Sequence, residues 1–70
     1  MKDEQLRQKI GEKIRKQREE QVWEVEQVAM MAGVKASTIQ KIEQGQISLP
    51  LDILAKVANV LNLKIELNAL

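Results

Sequence analysis

The side chains between residues 35 and 46 carry the chain's clearest chemistry. Lys35, Ser37, Thr38, Gln40, Lys41, Gln44 and Gln46 each donate or accept hydrogen bonds, and Ala36 sets one small methyl among them. Groups of these types are suited to hydrogen-bonding base edges and phosphates. A Lys ammonium suits guanine O6 and N7, a Ser hydroxyl suits either purine, and an alanine lets a helix sit deep enough to touch a thymine methyl. On a 3.6-residue period Ala36, Ser37, Gln40, Lys41 and Gln44 share the outer side of a helix, while Ile39 and Ile42 face inward.

Such a helix needs a support. Immediately upstream Val25, Val28, Ala29 and Ala32 recur at spacings of three and four, which predicts a short helix with one apolar face. Gly33 ends it, because a helix C-cap commonly requires left-handed backbone, and Val34 is placed to pack back under the turn. Gly45 closes the second helix.

Segment 24–46, EVEQVAMMAGVKASTIQKIEQGQ, resembles the helix-turn-helix of lambda-repressor-like (Xre/Cro-type) DNA-binding proteins. Ala29, Gly33, Val34, Ile39, Ile42, Glu43 and Gly45 carry the likeness, together with IGEKIRKQREE at 10–20 and LDILAKVANVL at 51–61. It extends over about residues 6–62, a small-domain span. The resemblance implies an all-α, four-helix DNA-binding domain over 1–62. It assigns Lys35, Ala36, Ser37, Thr38 and Lys41 to bases and nearby phosphates, with Lys41 on guanine; Gln40, Gln44 and Gln46, the last through its backbone, join Thr38 in holding phosphates and setting register. It also implies an ion pair between Arg18 and Glu43 that ties the first helix to the third. Three positions depart from the family pattern. Val22 stands where glycine is usual, so the loop there is expected to avoid left-handed backbone. Glu24 replaces the usual Ser or Thr cap, and Val25 replaces a phosphate-contacting Gln, which implies weaker or differently anchored DNA binding.

Upstream, Leu6, Ile10 and Ile14 form a narrow stripe that predicts a first helix over 2–20. Its cations Arg7, Lys9, Lys13, Arg15, Lys16 and Arg18 alternate with Asp3, Glu4, Glu12, Glu19 and Glu20. Apart from Arg18 these are expected to be a solvated face with pairs such as Glu12–Lys16, each worth a few tenths of a kcal/mol. A phosphate contact stays open for the cations near the helix's C-terminal end. Trp23, the lone aromatic, is expected in the core at the seam between the first two helices.

Downstream, 47–50 is expected as a loop, with Pro50 starting a helix whose core stripe is Leu51, Leu54, Val57, Ala58 and Leu61. Ile53 and Val60 lie on a second face and have no evident partner inside the domain. At 63–67 the period shortens to two: Leu63, Ile65 and Leu67 point one way, Lys64 and Glu66 the other. One strand cannot satisfy its own backbone. The expected arrangement is a homodimer whose short C-terminal β-strands, within 63–70, pair antiparallel between subunits, setting Lys64 against Glu66 and covering Ile53 and Val60. The resemblance to the antitoxin of the Hip toxin–antitoxin pair, which ends in a similar strand, adds a toxin as an alternative partner.

Seventy residues suffice for one domain near the lower limit of independent stability. With no cysteine there is no disulfide or thiolate site, and with no histidine an enzyme would lack the commonest general base. No enzymatic activity, cofactor or metal is expected. Net charge is only +1, a weak field for a nucleic-acid binder. Neither a signal-peptide core nor a bilayer-length apolar run is present, so a cytoplasmic setting without membrane contact is expected.

Overall fold

The computed structural model describes residues 3–46 and 50–63. Four helices follow one another: α1 (Asp3–Glu20), α2 (Val25–Ala32), α3 (Ala36–Glu43) and α4 (Leu51–Val60). α2 and α3 have only eight residues each, too few to persist alone, so tertiary packing must hold them. It does so through one core of Ile14, Val28, Ala29, Ala32, Ile39, Ile42, Leu54, Val57 and Leu61, to which every helix contributes. Trp23, Val25 and Val34 pack against its rim. The expected loop 47–49 and the strand residues Lys64, Ile65, Glu66 and Leu67 lie outside the described residues.

All four helices end in the same way. The amide one residue past each left-handed position donates back to a carbonyl five residues earlier: Trp23 to Arg18 at 3.1 Å, Val34 to Ala29 at 2.9 Å, Gln46 to Lys41 at 3.0 Å and Leu63 to Ala58 at 2.8 Å. The left-handed residues are Val22, Gly33, Gly45 and Asn62. Val22 corrects the sequence expectation, for its φ is 58°. The chain has to reverse at once to place Trp23 against the core, and the two closing hydrogen bonds outweigh the clash a β-branched side chain suffers there.

Other residues also depart from their expected environments. Leu51 was expected in the α4 core stripe but is 72% exposed, because the first turn of α4 runs past the core that begins at Leu54. Ile53 and Val60 do have neighbours within the domain, since both are half-buried against the core cluster. Arg7 is half-buried rather than solvated, and its Nε is buried without a hydrogen-bond partner. It lies four residues before Gly11 and seven before Ile14, so its aliphatic stem shares their inward stripe.

Two backbone contacts and one ion pair fix α3 on α1. A Cβ on Gly11 would drive into the Ile42 carbonyl oxygen and come within 2.9 Å of that of Glu43, while one on Gly45 would meet Gln8 at a similar distance. Bare glycines therefore let the two backbones touch. Alongside, Arg18 Nε donates to Glu43 Oε2 at 2.7 Å, Nη2 to Oε1 at 3.1 Å, and Nη1 to the Trp23 carbonyl at 2.8 Å. The side chains of the pair are 14% and 8% exposed. At the same end of α1, the Gln17 amide and that of Gln21 just beyond it both donate to the Leu61 carbonyl, tying down the C-terminus of α4.

Removing one partner of a buried pair strands the other. Arg18→Ala is accordingly expected to cost about 3 kcal/mol in chemical denaturation, against less than about 0.5 kcal/mol for exposed Lys13→Ala; equal losses would show the pair to be inert. Val22→Gly and Gly11→Ala should move stability in opposite directions. Relief of left-handed strain gives the first a gain of about 1 kcal/mol, whereas overpacking gives the second a net loss of about 1 kcal/mol or more despite alanine's better helix propensity. Matching signs would contradict this description of the two sites.

Candidate nucleic-acid interface

α3 buries Ile39 and Ile42, and its opposite side carries Ser37, Gln40, Lys41 and Gln44, all exposed. Spacings of three and four put these four residues on one ridge along the helix. Lys35 and Gln46, at its two ends, are exposed as well. Thr38 is half-buried on one flank. Ala36, expected on the outer side, instead packs partly against the core, because it sits one turn before Ile39 and close to the inward stripe.

The ends of α3 differ in what they leave free. At its start, the Lys35 carbonyl accepts from Thr38 at 3.0 Å and Ile39 at 3.3 Å, and no side chain caps the helix. Uncapped first-turn amides suit an anionic oxygen. At its end, the Gln46 amide already donates to Lys41. The backbone N–H of Gln46, expected at phosphate, is engaged within the chain here, and its exposed side chain is the group turned to solvent.

α2 presents a contrasting N-terminus. Gln27 Oε1 accepts the Glu24 N–H at 2.8 Å in a capping box, and Glu26 adds a second carboxylate in the first turn. The Glu24 and Glu26 carboxylates thus stand at the helix start, where a phosphate would dock and where they would repel it. Val25 turns partly into the core and offers no polar group.

Arg18 carries the resolved electrostatic perturbation at this site. Its hydrogen bond to the Glu43 carboxylate holds the guanidinium above its ordinary pKa, against an opposing effect of burial. The group stays charged at every accessible pH, so α3 is anchored without a titrating switch.

A shallow groove runs between α1 and the ridge, lined by Arg15, Arg18, Glu19, Gln40, Glu43 and Gln44. Arg15 Nε donates to Glu19 Oε2 at 3.3 Å in an exposed pair. The sequence places Glu19 among the solvated charges and leaves a phosphate contact open for the cations of this end of α1 without singling out Arg15. The spacing of Arg15, four after Gly11 and three before Arg18, was the available signal, and Glu19 follows one turn after Arg15. Among the described residues no group of carboxylates is arranged to hold a metal ion, and no helix is long and apolar enough to cross a membrane.

No curated protein and no solved structure matches the chain. A family model described as helix-turn-helix matches residues 14–68, which takes in the end of α1 and all of α2, α3 and α4. That span covers well over half of the sequence, and membership implies binding to DNA. The chain therefore belongs to the Xre, lambda-repressor-like family of helix-turn-helix proteins.

Proposed function

We propose that the protein is a dimeric, sequence-specific transcriptional regulator that represses from a palindromic operator, with residues 36–44 of each subunit in the major groove. The observation that carries this reading is the exposed ridge of Ser37, Gln40, Lys41 and Gln44 on a helix whose other side is clamped to α1 and the core. A helix about 10–12 Å across fits a major groove about 12 Å wide, and the rigid backing fixes which side chains reach the bases. Lys41 and Ser37 stand where direct readout is best served. Lys35, Thr38, Gln40, Gln44 and Gln46 set register through phosphates, and Ala36 contributes closeness of approach more than a methyl contact.

Dimerisation is supported by the alternation at 63–67 and by Ile53, Val60 and Leu63, which keep exposed area while packing on the core. Two copies of α3 held about one helical turn of DNA apart, roughly 34 Å, read a symmetric site that one copy cannot. The wild-type protein should enrich a palindromic motif from a random duplex pool. On that motif Lys41→Ala should lose about 1–3 kcal/mol and relax one base preference. Enrichment of no motif would point to a module whose main partner is another protein. Removing residues 64–70, which spares the core contact of Leu63, should convert dimers to monomers in sedimentation; a persistent dimer would place the interface elsewhere.

A further inference from the structure

We propose that Arg15 is a phosphate-contacting residue of the DNA complex, and that Glu19 is its built-in competitor. This rests on the reading of α3 as the helix that enters the major groove. A helix of that width nearly fills the groove, so what lies just outside either shoulder of α3 is a sugar–phosphate strand. The α1 shoulder is the groove lined by Arg15, Glu19, Gln40 and Gln44 beside the buried Arg18–Glu43 pair. Among its cations Arg18 is committed, since its Nε, Nη1 and Nη2 already donate to Glu43 and the Trp23 carbonyl.

Arg15 is free to exchange. Its side chain is 63% exposed, and it is held by a 3.3 Å bond from Nε to Glu19. An exposed pair of this kind is weak and screened by salt. A phosphodiester offers the guanidinium two oxygens in place of one. Of the other cations of α1, Arg7 shares the Gly11 side but is half-buried with its Nε enclosed, and the lysines are placed differently. Gly11, Arg15 and Arg18, at i, i+4 and i+7, share the side turned to α3, whereas Lys9, Lys13 and Lys16 repeat the same spacing two positions out of phase, on nearly the opposite side. When Arg15 turns to a phosphate, Glu19 is left facing the strand unpaired and repels it. The pair thus sets a ceiling on affinity.

Phosphate contacts carry no sequence information, so the test needs no operator. Binding of the full chain to a mixed-sequence DNA duplex is followed by fluorescence anisotropy over a range of salt concentrations, with thermal melts to establish that each variant is folded. Arg15→Ala should weaken binding about tenfold, the usual size of a charge-assisted hydrogen bond, and reduce the salt slope by about one. Lys13→Ala removes the same charge from the far side and should change affinity less than about threefold, with the slope nearly intact. Glu19→Gln should tighten binding about threefold, as expected for release of an exposed pair. Equal losses for Arg15→Ala and Lys13→Ala, or an unchanged slope for Arg15→Ala, would overturn the proposal while leaving the DNA reading standing. A wild-type protein that binds no duplex even at low salt would remove the DNA reading and this proposal with it.

Discussion

The Arg18 guanidinium holds three parts of the chain at once: the end of α1 that carries it, the Trp23 carbonyl in the turn that follows, and the Glu43 carboxylate in the last turn of α3. α3 is eight residues long and rich in polar side chains, so it has little helical stability of its own. Its form and direction come from outside. Ile39 and Ile42 supply the apolar anchor, Gly11 and Gly45 allow backbone to rest on backbone, and the ion pair fixes the rotation. An apolar contact tolerates some sliding, whereas a planar guanidinium on two carboxylate oxygens does not. The ridge of α3 is therefore aimed by charges it does not itself present.

The same economy shapes the electrostatics. With a net charge of +1 the molecule has little long-range attraction for a polyanion, and its cations matter by position. The start of α2, in this class of motif the helix that crosses the DNA backbone, carries the Glu24 and Glu26 carboxylates, with the Glu24 N–H held by Gln27. On the proposed reading the phosphate grip shifts to α3 and to the α1 shoulder. On that same reading binding is modest, and the proposed two-fold symmetry matters to specificity.

Much of the fold was legible because the relevant signals are local. The apolar spacing of Val25, Val28, Ala29 and Ala32, the left-handed demand at Gly33 and Gly45, and the four-helix order each follow from the residue and its near neighbours. What escaped was set by position in space. Val22 is left-handed because the chain must return Trp23 to the core, a demand no propensity at position 22 reveals. Leu51 has the right phase but lies beyond the end of the core, and Ala36 has the outward phase but sits close enough to the stripe to be drawn in. At the candidate site, side-chain type pointed to α3, whereas the place of Arg15 depended on how α1 crosses it.

The central claim is that the outer side of α3, flanked by the α1 shoulder at Arg15, is what meets the duplex. Amide chemical-shift perturbation on titrating DNA into labelled protein tests it residue by residue. The account predicts the largest changes from Lys35 through Gln46, with a second set near Arg15 and Glu19, and little at Lys9, Lys13 and Lys16. Changes concentrated on that lysine face or along α4, with the ridge of Ser37, Gln40, Lys41 and Gln44 undisturbed, would contradict it.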